Sequence, residues 1–183
     1  MVFSSLNFLL IFLPIVLLLH SVLPFKYKNI VLLAASIIFY AWGEPVYVIL
    51  MILSIGFNYM SGLVLGELED PHLRKRQLIF AVAVNLLLLG FFKYAGFLVS
   101  MINAILPLKI EFRSLALPVG ISFYTFQALS YVIDVYRDKT CVQKRLSRLL
   151  LYISFFPQLI AGPIVKYRDV SAQLHVHEHR YHL

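Results

Sequence analysis

Long apolar runs separated by short polar or charged stretches organise this chain, and a helix needs about 20 mostly apolar residues to cross a hydrocarbon core of about 30 Å. The first run, Leu6 to Leu23, contains Pro14, an expected kink that neighbouring helices can accommodate. A longer stretch from Asn29 to Leu65 is interrupted at Trp42-Gly43-Glu44-Pro45, where Pro45 removes a backbone donor and turns Glu44 away from helix. Two crossings joined by a turn follow, the first of them, Lys28 to Trp42, short for a span. In the next stretch, Leu78 to Leu106, Lys93 predicts either a break near Phe92 or an ammonium that snorkels to the interface between aromatic neighbours. Leu115 to Tyr136 then leads into a strongly basic loop, Arg137 to Arg148. The last run, Leu149 to Val165, carries Pro157 and Pro163, which favour a broken or re-entrant segment over one continuous helix. The pattern predicts an all-α fold: a polytopic transmembrane helical protein with broken or re-entrant helices over residues 1–165, and a polar, His-rich tail over 166–183.

Composition agrees with the pattern. The chain is 61% hydrophobic and 14% charged with a mean hydropathy of +0.84, whereas in soluble domains about half the residues are apolar and a quarter charged. The net charge of +7 does not require nucleic acid. Its basic residues sit in clusters between apolar runs: Lys26 and Lys28, then Arg74 to Arg76, then Arg137 to Arg148. The positive-inside rule places these clusters in the cytoplasm and the N-terminus and the Gly43-Glu44-Pro45 turn outside. Because Lys26 and Lys28 follow the first apolar core instead of preceding it, that core reads as a retained span and not as a cleaved signal. Cys141 is the single cysteine, which excludes a disulfide or a Cys-pair metal site within one chain.

The chemistry concentrates between Leu115 and Asp169. This apolar region carries Ser122, Tyr124, Thr125, Gln127, Ser130, Asp134, Ser154 and Gln158, and is broken by Pro118, Pro157 and Pro163. A polar group buried without a partner costs roughly 2 to 7 kcal/mol, so such side chains within a membrane face one another, a water-filled cavity or a substrate path. At helical spacing Gln127, Ser130 and Asp134 fall on neighbouring turns and form one polar stripe. That stripe reads either as a cavity lining with Asp134 at the cytoplasmic mouth, or with Asp134 anchored to Arg137 at the membrane surface. Gln127 and Gln158, deeper in their runs, read as cavity groups or as helix-to-helix hydrogen bonds. Ser61, Gly62 and Gly66, like Gly90 and Gly96, are small enough to allow close helix contact. The tail histidines His175, His177 and His179 are two apart, but at the end of the chain they read as a solvated tail in preference to a metal site. The sequence offers no paired nucleophile and base, no phosphate-binding glycine loop and no paired-carboxylate site.

Several ordered phrases carry a resemblance: Met1-Val2-Phe3-Ser4-Ser5, Phe39-Tyr40-Ala41-Trp42-Gly43-Glu44-Pro45, the block from Leu117 to Gln127, Asp134-Val135-Tyr136-Arg137, and the block from Phe155 to Val165. Together they resemble the N-terminal part of the membrane-bound O-acyltransferases, on the bacterial branch that acylates alginate and cell-wall polymers. The resemblance implies a ring of helices around a thin central region of the bacterial inner membrane. Through it an acyl group, acetyl in this branch, passes from a cytoplasmic donor to a cell-surface polysaccharide such as alginate. The donor, acetyl-CoA or an acyl carrier, is a substrate, and no bound cofactor is implied. Membrane lipid, a periplasmic acetyltransferase partner and the missing C-terminal half of the enzyme are the expected partners. The family's catalytic histidine lies in the later half and matches no position here, so no catalytic residue is carried over. Ser122, Tyr124, Gln127, Gln158 and Pro163 match the family's polar, proline-bearing blocks and, with Asp134, are the candidates for a tunnel wall or its scaffold. Two other classes stay open: a small transporter or export component, prompted by the interrupted helices, and a non-enzymatic scaffold of a polymer-synthesis complex.

Overall fold

A computed structural model describes residues 6–105, 118–161 and Tyr167; Pro163 and the tail beyond Tyr167 lie outside the described residues. Among the described residues there are helices and connecting turns and no strand. The expected kink at Pro14 takes another form. A single π-helical turn, Phe8–Phe12, runs into α1, Leu13–Val22, and Pro14 sits in the first turn of α1. A proline ring collides with the carbonyl four residues upstream, and a widened turn before it is one way to relieve that crowding.

After Pro24 the chain enters α2, Phe25–Gly43, whose 19 residues exceed the short crossing expected and reach about 28 Å. The break falls at Glu44 to Val46, as Pro45 requires, and α3 follows over Tyr47–Glu67. Asp70 then accepts the backbone N–H of His72 at 2.8 Å and opens α4, Pro71–Ile105. The break near Phe92 is absent: α4 is continuous over 35 residues. Lys93 is exposed, its ammonium 5.5 Å from the ring centre of Tyr94. Arg76 and Lys93 are about 25 Å apart along the axis, near the thickness of a bilayer core, so an unbroken helix still places a basic residue at each edge. The last elements are α5, Ile121–Arg137, a short 3₁₀ turn over Lys139–Cys141, α6, Leu146–Ser154, and α7, Phe156–Ala161.

The central helix is α5, which packs against α3 and α4, while α6 packs on α2. Its buried residues Tyr124, Ala128, Tyr131, Val132 and Val135 meet Met51, Ile55 and Leu65 of α3, Ala81 of α4, and Leu149, Tyr152 and Ile153 of α6 in one core. A second cluster, Phe8, Val16, Ala35, Phe39 and Phe156, joins the first helix to α2 and α7. Outward-facing Leu17, Ile49, Leu53, Leu87, Phe97 and Ile105 are exposed, an apolar exterior suited to lipid. Both α3 and α4 are long and apolar enough to cross a membrane. The protein is an all-α helical membrane protein.

Two polar fasteners hold α3, α4 and α5 together. Asn58 and Asn85 exchange amide hydrogen bonds of 3.0 and 2.8 Å, and each also donates to the carbonyl four residues before it, Ser54 and Ala81. Both amides are buried, and this pairing satisfies donors that lipid could not. The other fastener is Arg74, 9% exposed. Its Nη1 donates to the carbonyls of Leu65 at 2.9 Å and Leu68 at 3.3 Å, and its Nη2 to those of Tyr136 at 2.8 Å and Val135 at 3.3 Å. These are carbonyls at the C-terminal ends of α3 and α5, which have no partner within their own helices. The guanidinium also lies 5.7 Å from the ring centre of Tyr136.

Since one side chain caps both C-terminal ends, α3 and α5 run parallel. Gly62 allows them to touch: a Cβ there would lie 2.7 Å from Cε1 and Cζ of Tyr131 and closer still to its hydroxyl. At Gly66 an added Cβ would lie 2.7 Å from a methyl of Val142. Gly90 and Gly96 do not behave as expected. Among the described residues nothing lies within 4 Å of a Cβ built at either, because that part of α4 faces outward.

Arg74→Gln is expected to lower stability by about 3 kcal/mol, since a neutral amide cannot serve four carbonyls on two helices; thermal unfolding in detergent measures it. Gly62→Ala should cost about 1 to 3 kcal/mol by forcing Tyr131 out of place. By contrast, Gly90→Ala should leave the midpoint unchanged or raise it, as alanine suits a helix interior better by roughly 0.5 to 1 kcal/mol. Equal losses from both glycine variants would refute the close approach at Gly62.

Candidate functional site

The entry to α5 sets the site's position. Pro118 is buried, and Gly120 has φ of 80°, a left-handed conformation that a side chain would strain. The carbonyl of Pro118 accepts from Ile121 N at 3.2 Å, and that of Gly120 from Tyr124 N at 3.0 Å. Tyr40 of α2 donates its hydroxyl to the carbonyl of Val119 at 2.9 Å, which anchors this turn to a neighbouring helix.

On α5 the predicted residues divide into two groups. Tyr124 and Gln127 are wholly inside, with 0% and 2% exposure. Ser122, Ser130 and Asp134 are half-buried and lie along the edge of the helix's buried side. Asp134 sits at the end capped by Arg74, and its carbonyl accepts from Asp138 N at 2.8 Å. The stripe predicted from spacing therefore runs from the packed interior at Gln127 to a more open edge at Asp134.

Four buried oxygens have no hydrogen-bond partner among the described residues: Ser54 Oγ, Tyr124 Oη, Thr125 Oγ1 and Gln127 Oε1. The α3–α5 register sets their heights. With Tyr131 on Gly62, stepping back seven residues in each parallel helix brings Tyr124 to the level of Ile55, next to Ser54. Asn58, three residues on from Ile55, stands level with Gln127 by the same count. The outcome is a polar layer across α3, α4 and α5 in an otherwise apolar core.

The other wall is the broken segment. With nine residues α6 rises about 14 Å, too short to cross a core, and the chain turns at Phe155 before α7. Ser36 of α2 repairs the break: its hydroxyl accepts Phe156 N–H at 3.3 Å and donates to the carbonyl of Leu32 at 2.8 Å. Phe156 is held among Phe8, Phe12 and Phe39, with ring centres 5.6 to 6.0 Å away. Gln158 is half-buried on α7, which packs against both α2 and α5.

The basic loop is sewn to the bundle from below. Tyr59 Oη donates to the carbonyl of Lys144 at 2.9 Å, and Tyr131 Oη accepts from Gln143 N at 3.3 Å. Gln143 Nε2 donates to Tyr167 Oη at 2.7 Å, and its Oε1 accepts from Arg145 N at 3.0 Å. Tyr167 packs edge-on against Tyr131 and Tyr152.

Ser54, Asn58, Asn85, Arg74 and Ser36 are structurally central and absent from the predicted set. Asn58 and Asn85 gave the signal used for Gln127, an amide inside an apolar run. Ser54 and Ser36 are indistinguishable from helix-satisfied serines in sequence, since a serine can bond its own helix at i−4.

The comparisons with known proteins agree on one kinship. The chain is 41% identical over 189 residues to the probable alginate O-acetylase AlgI of Azotobacter vinelandii, an alignment covering 100% of this chain and 37% of that protein. With the probable alginate O-acetylase AlgI of Pseudomonas aeruginosa it shares 40% over 187 residues, 100% of this chain and 35% of the other. The peptidoglycan O-acetyltransferase of Helicobacter pylori is 33% identical over 202 residues, covering 94% and 38% respectively. The chain thus spans a little over a third of the length of these curated relatives. No family model and no solved structure matches. The likeness runs over the whole chain and through each phrase that carried the resemblance, so the chain is similar along its full length to part of the bacterial alginate and peptidoglycan O-acetyltransferases.

Proposed function

We propose that this protein takes part in transferring acetyl groups to hydroxyls of a cell-surface polysaccharide, with alginate as the acceptor. The observation that carries this reading is the identity of about 40% with alginate O-acetylases along the full chain, higher than the 33% with the peptidoglycan enzyme. The reaction is an acyl exchange. A hydroxyl oxygen of the acceptor attacks the acyl carbon of the donor, the new ester bond forms, the donor's thiolate leaves, and a base takes the hydroxyl proton. The base is not assigned to any residue of this chain. The donor is a cytoplasmic acetyl-CoA or acyl carrier, and the acceptor and a periplasmic acetyltransferase partner stand on the opposite side.

In this reading the protein lies in the bacterial inner membrane with its N-terminus outside. The basic residues Arg74 to Arg76 and Arg137 to Arg148 support it, because they lie at the ends of α3 and α5 that Arg74 brings together and so share one face. Tyr124, Gln127 and Gln158 form the wall beside the acyl path and Ser122 and Asp134 its edges, while Pro163, outside the described residues, belongs to the same candidate set by sequence alone. Buried oxygens without partners at Tyr124 and Gln127 support the wall, since such groups are retained where a path runs beside them.

Deleting the gene in its host should abolish base-labile acetate on the surface polysaccharide, measured by acetate release and by NMR of the purified polymer. Restoring the gene with Gln127→Leu or Gln158→Leu should recover only about a tenth of the acetyl content at equal membrane abundance, the effect of losing one hydrogen bond of about 1.4 kcal/mol. Undiminished acetylation in the deletion strain would overturn the reading.

A further inference from the structure

We propose that the outward side of α3 and the basic loop folded against it form a binding site for an anionic phospholipid, with the phosphate at Lys144 and an acyl chain across Gly56. The loop does not hang below the bundle. Val142 lies where a Cβ at Gly66 would touch it, Gln143 N donates to Tyr131 Oη at 3.3 Å, and the carbonyl of Lys144 accepts from Tyr59 Oη at 2.9 Å. The chain therefore climbs back along α3 after Arg137, and Tyr59 stands about 12 Å along the axis from the end of that helix at Glu67. Lys144 is exposed at this height, inside the level at which Arg74 caps the helix ends. Gln143 Oε1 accepts from Arg145 N at 3.0 Å and Asp138 Oδ1 from Thr140 N at 2.9 Å, so the loop that carries Lys139, Lys144 and Arg145 is already fixed in shape.

Charge and surface together select the ligand. Residues 137–148 hold five cations, Arg137, Lys139, Lys144, Arg145 and Arg148, and one carboxylate, Asp138, which accepts from Thr140 N and Oγ1. The ammonium of Lys144 has no partner among the described residues. A cation at the edge of lipid is costly alone, and its long stem lets it reach a headgroup anion. The adjoining face of α3 is apolar. Tyr59 borders it, and Ile52, Gly56 and Met60 follow one another along it at four-residue spacing. Ile52 and Met60 are exposed, and a Cβ built at Gly56 meets nothing within 4 Å, so the row has a gap between two apolar side chains that a run of methylenes fits. A soluble anion would meet the cations and leave the gap open. A zwitterionic lipid would fill the gap and bring the cations a headgroup of no net charge. An anionic phospholipid answers both. This inference rests on the Tyr59–Lys144 contact, and it is independent of the acyl-transfer reading and of which side of the membrane this end of the bundle faces.

The test uses the whole chain in detergent, with native mass spectrometry of added phosphatidylglycerol and phosphatidylcholine carrying identical dioleoyl chains. One phosphatidylglycerol should be retained about fivefold more tightly than phosphatidylcholine, and Lys144→Gln should remove that advantage, the effect of one cation beside an anionic headgroup. Lys144→Arg should keep it. Lys75→Gln, which removes an exposed cation of α4, should leave it unchanged. Gly56→Leu should weaken both lipids alike, since it fills the gap and touches no charge, with an unaltered unfolding midpoint. Equal retention of the two lipids by the unaltered protein overturns the proposal, and this comparison decides even where a variant does not fold. Equal losses from Lys75→Gln and Lys144→Gln overturn it as well, because the attraction would then be spread over the whole face. Displacement of phosphatidylglycerol by millimolar inorganic phosphate, with Gly56→Leu without effect, would give the loop to a soluble anion and would also overturn it.

Discussion

Arg74 is the constraint from which the rest of the arrangement follows. A helix ends with four carbonyls that its own ladder cannot satisfy, and two such ends meeting inside a protein would leave up to eight. Supplying both from one planar, permanently charged guanidinium fixes their height, their spacing and their direction together. The carbonyls of Leu65 and Leu68 belong to α3 and those of Val135 and Tyr136 to α5, so the two helices must run parallel with their ends level. From that register come Tyr131 against Gly62, Val142 against Gly66 and Tyr124 beside Ile55. Placement of the polar layer is thus a consequence of a cap formed two to three turns away.

The layer itself shows two ways of keeping polar groups at lipid depth. Asn58 and Asn85 form a closed pair in which every amide proton is spent within the protein. Such a pair specifies which face of α3 meets which face of α4, because sliding either helix by one residue would expose two amides. Ser54, Tyr124, Thr125 and Gln127 have no such closure. An unmet polar oxygen costs roughly 2 to 7 kcal/mol, so these four set α5 and its surroundings apart from the closed α3–α4 pair in packing.

Much of this was legible in the sequence where the cause is local. Pro45 stops α2 and Pro157 marks the α6–α7 break because a missing N–H acts on its own neighbours whatever surrounds it. Tyr124 and Gln127 were legible because polarity in an apolar run has few explanations. Causes that depend on distant packing were not legible. Lys93 admitted either a break or an interfacial anchor beside aromatic neighbours, and only the continuous 35-residue helix, which puts its charge one core thickness from Arg76, decides for the second. Gly90 and Gly96 sit inside an apolar run as Gly62 and Gly66 do, and what faces them is what differs. The three basic residues Arg74, Lys75 and Arg76 read as one topogenic cluster, but Arg74 is turned inward while its neighbours are exposed. The likeness to the O-acetyltransferases is carried by ordered phrases of sequence, and no single distance in the structure would have supplied it.

The broken segment follows the same logic as the cap. Interrupting a helix at membrane depth frees backbone groups, and irregular backbone is tolerated there only when protein encloses it. Ser36 receives the freed N–H of Phe156 while its own proton stays with Leu32, so one hydroxyl serves both α2 and the break. The phenylalanines around Phe156 shield that bond from lipid, and the edge-on geometry of Phe12 against Phe156 at 85° fixes the ring that carries it. With α6 stopped and α7 begun at this point, the second of these short helices turns toward α5 instead of continuing across. The break brings α7 against both α2 and α5. The serine on α2 and the arginine on α4 thereby perform one task from opposite ends, each satisfying backbone groups so that α5 can carry polar side chains in the centre of the bundle.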